Sequence, residues 1–129
     1  MNIPEALRYS EEHEWVAVDG TTATIGITDF AQDELGDIVF VELPAVGATL
    51  QRSKPLGVVE SVKAVSDVYA PIGGTVTEVN GALADHPEVI NEDPYGKGWM
   101  VRVRLADPSE VDGLMTAQQY GEFIAKEKA

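Results

Sequence analysis

The sequence predicts a mainly β fold, a sandwich or barrel of short strands with two helices added. Three observations carry that expectation. Apolar and β-branched residues recur in seven short runs, several of these alternate at period two, and Gly, Pro and Asn clusters stand between them.

The runs are EWVAV (14–18), TATIGI (22–27), DIVFVEL (37–43), PLGVVESV (55–62), VSDVYA (65–70), GTVTEV (74–79) and WMVRVRL (99–105). Val101-Arg102-Val103-Arg104-Leu105 alternates most clearly, as a strand with one buried face does. Turn chemistry separates the runs at Asp19-Gly20, from Pro44 to Gly47, from Pro71 to Gly74 and at Asn80-Gly81. A short helix is expected near 28–35, with Thr28 as N-cap, Asp29 in the first turn and Gly36 after the end. A C-terminal helix is expected over about 116–127, capped by Thr116, with Tyr120, Phe123 and Ile124 on one face. DPSEVDGLM before it suggests another helical turn, and residues 84–99, rich in Pro and Gly, read as a long surface loop. Sliding the chain by 27 residues sets Val41, Pro44 and Gly47 on Val68, Pro71 and Gly74, an echo that suits two related halves.

At 129 residues the chain, 1–129, is expected to form one domain with a substantial core. Hydrophobic residues make 44% and charged residues 24%, an ordinary globular balance. No run approaches the roughly 18 apolar residues of a membrane helix. The N-terminus has neither a signal-peptide nor a transit-peptide pattern, so a cytoplasmic location is expected, or a mitochondrial matrix one if a transit peptide has been removed. The absence of cysteine excludes disulfides, thiolate metal sites and a cysteine nucleophile. A net charge of −13 repels nucleic acid and anionic membranes and speeds docking on basic protein surfaces. His13 and His86 have no metal-ligand spacing, and no Ser-His-Asp set, phosphate loop or dinucleotide fingerprint occurs.

One residue does not fit the strand pattern. Lys63, one of five lysines, stands between Val62 and Ala64 where two strand-like runs meet without a Gly, Pro or Asn. Either a hairpin turns there with the lysine at its tip, or one continuous strand carries it on a solvent face. The ordinary role for such a lysine is solvent exposure or protection of a strand edge.

ESVKA (60–64) resembles the lipoyl-lysine signature of the glycine cleavage system H-protein family. YSEEHEWV (9–16), TIGITDFAQDELGDIVFVELPAVG (24–47), VESVKAVSDVYAPIGGTVTEVN (59–80) and PYGKGWMVRVR (94–104) are similar to that family in the same order and spacing. The resemblance spans nearly the whole chain. It implies a flattened lipoyl/biotinyl-type β-barrel, a barrel-sandwich hybrid of two antiparallel sheets, with an N-terminal extension. It also implies a non-catalytic carrier with lipoic acid in amide linkage on Lys63. Its partners would be the pyridoxal-phosphate glycine decarboxylase, which loads an aminomethyl group, and the tetrahydrofolate-dependent aminomethyltransferase, which unloads it. Dihydrolipoamide dehydrogenase, a flavin (FAD) enzyme, would reoxidise the arm, and a lipoate-attaching enzyme would install it.

The same resemblance assigns Glu60 and Gly47 to recognition by the lipoate-attaching enzyme. Glu12, Glu14 and Asp67 would hold the aminomethyl group in a cleft, since a protonated amine needs acceptors. Ile27, Ala31, Leu35 and Ala64 would form that cleft's apolar wall. Position 12 often holds a small polar residue in the family, so Glu12 departs from its pattern. A biotin carrier shares the fold, but its lysine is typically flanked by methionines. Here Met1, Met100 and Met115 all lie elsewhere. A relative that relays lipoate to other enzymes would use the same Lys63.

Overall fold

The structure, a computed structural model, describes residues 1–128. In chain order its elements are β1 (Arg8–Tyr9), β2 (Glu14–Asp19), β3 (Thr22–Ile27), α1 (Asp29–Leu35), β4 (Ile38–Glu42), β5 (Thr49–Leu50), β6 (Pro55–Ser61) and β7 (Val65–Tyr69). There follow β8 (Gly74–Val79), α2 (Ala82–Asp85), α3 (Val89–Glu92), β9 (Val101–Leu105), a 3-10 turn (Pro108–Gly113) and α4 (Ala117–Lys128). The strands make two sheets, one ordered β1-β2-β3-β9-β8-β5 and one ordered β4-β6-β7. Each strand pairing is antiparallel.

The seven runs read from periodicity are strands. Their inward residues are buried, Ile25, Val59, Val76 and Val103 to at most 1% exposure, and form one core with Ile72, Ile90 and Met100. Each such side chain contributes roughly 1.5–3 kcal/mol of burial. A second cluster joins Tyr9, Trp15, Phe30, Tyr120 and Ile124 beneath α4. Two strands were not foreseen, β1 and β5. Each has two residues and so no period; their pairing is set by the partners Val16 and Trp15 for β1, and Thr75 and Gly74 for β5.

Both helices begin where their caps predict. Thr28 Oγ1 accepts from Ala31 N–H at 3.2 Å, and α1 ends at Gly36 with φ of 79°. Thr116 Oγ1 accepts from Gln119 N–H at 3.2 Å while Gln119 Oε1 accepts from Thr116 N–H at 2.9 Å, a reciprocal capping box. The helical turn expected before α4 is the 3-10 turn, capped by Asp107.

Residues 84–99 are not the plain surface loop expected from their Pro and Gly content. They contain the end of α2 and the whole of α3, and they bury Ile90, Pro94 and Gly98. A four-residue helix is too short to show a 3.6-residue period, which is why composition dominated the expectation. The internal echo holds for its valines: Val41 and Val68 are both buried and both flank β6, opposite Val59 and Gly57. It does not extend to the glycines. Gly47 has φ of 92°, whereas Gly74 lacks a positive φ and lies against Arg104 O, where a Cβ has no room.

Candidate functional site: a lysine hairpin beside an acidic cleft

β6 and β7 form a hairpin whose turn is Val62-Lys63-Ala64, so of the two readings the tip is the observed one. Ser61 supplies the missing turn signal. Its N–H donates to Ala64 O at 2.8 Å, and its Oγ accepts from Ala64 N–H at 3.1 Å and Lys63 N–H at 3.3 Å. A serine hydroxyl thus does what an Asn or Asp side chain would do in a commoner turn. Outside the hairpin, Val62 N–H donates to Asp37 O at 3.0 Å. Lys63 is exposed, and Val62 and Val65 beside it are 70% and 68% exposed.

Cross-strand register sets two rows over the solvent-facing side of this small sheet. One is Phe40, Glu60, Val65 and the next is Glu42, Val58, Asp67. Apolar and acidic side chains alternate in both directions, with Phe40 half exposed at 50%. Glu60 therefore stands between two apolar neighbours on the lysine's own hairpin. Gly47 lies in the β4–β5 turn, where its N–H donates to Val76 O at 2.8 Å and its positive φ requires glycine.

Two adjoining clefts, of about 340 and 370 Å³, meet at Glu12. The first includes the polar side chains of Ser10, Glu12, Glu14, Arg52, Ser53 and Tyr69 in its lining. The second has an apolar floor of Phe30, Ala31 and Leu35, with Glu12, Glu34, Ser66 and Glu127 around it. Glu14 is 2% exposed. The β1–β2 loop holds it: Ser10 Oγ donates to Glu14 Oε1 at 2.5 Å, and Tyr69 N–H on β7 reaches Oε2 at 3.4 Å. Burial pushes its carboxyl up to about 7, and the Glu12 charge adds to the rise while the Ser10 and Tyr69 hydrogen bonds oppose it.

The structure brings Glu12, Glu14, Ala31 and Leu35 to these clefts. Ile27 lies beneath them, 4% exposed and opposite Glu14 across the β2–β3 ladder. Ala64 is exposed on the hairpin turn, and Asp67 is exposed on β7, where its neighbour Ser66 takes the cleft position.

Sequence reasoning missed Ser10, Tyr69 and the network around His13. His13 has φ of 70°, and its Nδ1 lies 2.8 Å from Tyr120 Oη, which is 2.7 Å from the cap hydroxyl of Thr28. Its Nε2 is 3.2 Å from Glu127 of α4. α4 is in this way bonded to the start of α1, the helix that floors the apolar cleft. Only tertiary contact joins these residues, so no local signal could have found them.

Residues 7–127 match the family model for the glycine cleavage H-protein. The chain is 62% identical over 124 residues to a glycine cleavage system H protein of Geobacillus kaustophilus, covering 96% of this chain and 98% of that one. It is equally 62% identical over 124 residues to the protein so named in Anoxybacillus flavithermus, again over 96% and 98%. The crystal structure of a glycine cleavage system H protein from Mycobacterium marinum superposes with a TM-score of 0.86 at 39% identity, over 98% of this chain and 100% of that one. The two-sheet barrel-sandwich fold, the lysine hairpin and these matches lead to one conclusion: the chain belongs to the glycine cleavage H-protein family.

Proposed function

We propose that this chain serves glycine cleavage as a non-catalytic carrier, with Lys63 as the residue that bears lipoic acid as lipoamide. The observation that carries the proposal is the exposed lysine at the tip of a braced two-strand hairpin. The tip suits the group, because Lys63 is exposed to an approaching activated acyl donor. In that acylation the neutral Nζ attacks the acyl carbonyl, the C–N bond forms, the activating group leaves with its electron pair, and a proton is lost to solvent. The charge of Lys63 is removed and a long apolar arm replaces it. When bound, the lipoyl group supplies a disulfide and dithiol that carry the aminomethyl cargo between enzymes.

The clefts suit such an arm too. Phe30, Ala31 and Leu35 offer an apolar floor for its methylenes, and Glu12 and Glu14 offer acceptors to a cationic amine at its end. Glu14 titrates near neutrality, so an arriving cation lowers its proton affinity and leaves a charge-assisted pair. Ser66 contributes from the hairpin, with Asp67 and Ala64 exposed beside it, and Ile27 is the cross-strand neighbour of Glu14. Glu60, between Phe40 and Val65, is the side chain best placed for recognition by the lipoate-attaching enzyme. Gly47 acts there through the shape of its turn. The proposed partners are glycine decarboxylase, the aminomethyltransferase, dihydrolipoamide dehydrogenase and the lipoate-attaching enzyme. With bacterial relatives, the cytoplasm is the proposed place of action.

Intact mass of the chain from its native source tests the assignment. One lipoyl adduct is expected, on the peptide that holds Lys63; an unmodified or biotin-sized mass would end the proposal. Lys63→Arg is expected to fold as the parent does and to support no glycine decarboxylation in a reconstituted system, since it offers no acylable amine.

A further inference from the structure

Residues 36–38 join α1 to β4, and they are held from two sides. On one side lies the carrier hairpin. Val62 N–H donates to Asp37 O, and Lys63 Cε passes 3.6 Å from the place where a Cβ on Gly36 would stand. On the other side lies Asn91 of α3, whose amide makes three hydrogen bonds. Its Oδ1 accepts from Ile38 N–H at 2.9 Å, and its Nδ2 donates to Gly36 O and to Gln32 Oε1, both at 2.9 Å. Gly36 has φ of 79° and ψ of −157°, a region essentially restricted to glycine. The backbone at this joint has left the helix and has not settled into the ladder, because a bulge separates Ile38 from Phe40. Asn91 gives it one donor and one acceptor from a single planar group. Aspartate would lack the donor, and serine the second arm.

We infer that Asn91 is a positioning residue for Lys63. It fixes the α1–β4 joint against which the hairpin tip rests, and so sets the direction in which the lysine leaves the protein. Ser61 closes the turn from within, but its bonds stay inside the hairpin. The bond from Val62 to Asp37 is the one that ties the tip to the body, and it is only as firm as residue 37. The effect reaches the chemistry through aim: an enzyme that acylates Lys63 needs the stem presented in one direction, since misplaced reacting atoms forfeit much of the orientation effect. The inference rests on the carrier function proposed above for the reaction that is positioned.

The test uses the full chain with Asn91→Ala and Asn91→Asp. The alanine removes all three hydrogen bonds; the aspartate keeps the volume and the acceptor for Ile38 but faces Gly36 O and Gln32 Oε1 with a carboxylate oxygen. Native-state amide exchange is read at Val62, with Val103 in β9 as internal reference. Acylation of Lys63 by a lipoate–protein ligase with lipoate and ATP is followed by mass, beside acetylation of Lys63 by acetic anhydride. Exchange at Val62 is expected to rise about tenfold over any change at Val103, the factor that loss of one net hydrogen bond predicts. Enzymatic kcat/KM is expected to fall by a similar factor, with the acetic anhydride rate unchanged because the amine stays exposed. Equal changes at Val62 and Val103, or ligase efficiency at the parent's level, would overturn the inference. If Asn91→Ala does not fold, Asn91→Asp decides alone. If the parent itself accepts no lipoyl group at Lys63, the carrier function fails, and the exchange comparison still decides whether Asn91 holds the hairpin.

Discussion

Glu14 shows how one residue's surroundings become a measurable property. Its carboxyl has an ordinary value near 4.5 and is pushed up to about 7 in the folded chain, chiefly by burial. A folded-state value above the unfolded one means that the folded chain binds the extra proton between those two pH values. Stability from this group is therefore full below about 4.5, falls as pH rises to about 7, and is level above it, a change of up to about 3 kcal/mol. Glu14→Gln keeps the size and can accept from Tyr69 N–H while its NH2 faces Ser10 Oγ, which can also accept, but it cannot ionise. Its unfolding free energy in urea, minus that of the parent, is expected to be larger at pH 8 than at pH 5. An equal difference at both pH values would show that Glu14 titrates normally. The sequence named Glu14 through a family pattern; its burial and the Ser10 and Tyr69 bonds come from β1, β2 and β7 meeting, which no spacing encodes. Lys63 was legible as an anomaly in a strand, whereas Ser61, the residue that makes its turn, carries a signal too weak to have been read.

At the scale of elements, the β2–β3 ladder holds the cleft in place through a glycine. Trp15 lies across the ladder from Gly26, and a Cβ on Gly26 would come within 2.7 Å of the indole Nε1 and 2.8 Å of two ring carbons. The ring cannot easily move away, because Nε1–H donates to Pro94 O at 3.0 Å. Gly26→Ala is expected to lower stability by about 1–3 kcal/mol, the usual range for overpacking a fitted site. Equilibrium urea unfolding measures it, and a variant as stable as the parent would mean that the indole relocates without cost. The same ladder sets Glu14 opposite Ile27, one position along from the Trp15–Gly26 pair. Strands with a clear period and helices with good caps were readable in order and nearly to the residue. β1, β5, α2 and α3 were not, since elements of two to four residues are defined by the surfaces they pack on. That matters for function, because α3 supplies Asn91 and the loop after it supplies Pro94, one bonded to the joint beside Lys63 and the other to Trp15.

The whole molecule carries −13, from 22 acidic and 9 basic residues, and part of that charge stands where partners must approach. Glu42, Glu60 and Asp67 share the face of the small sheet that leads to Lys63, alternating with Phe40, Val58 and Val65. Exposed carboxylates separated by apolar gaps gain little affinity in water, where each pair is worth about 1 kcal/mol at most. Their field acts mainly before contact, by raising the rate at which a basic surface meets this face. A carrier that visits several enzymes in turn needs rapid encounter and ready departure, and steering supplies the first without slowing the second. The expected outcome is a strong salt dependence of association alone. Between about 0.02 and 0.3 M salt, the association rate with glycine decarboxylase, one of the partners proposed above, should fall roughly tenfold while the dissociation rate changes little. Asp67→Asn should flatten that dependence more than Asp19→Asn, which removes the same charge at the β2–β3 turn. Stopped-flow binding of the lipoylated chain measures both rates. A salt effect carried by dissociation, or equal slopes for the two variants, would place the charge in general surface solvation rather than in docking at the hairpin face.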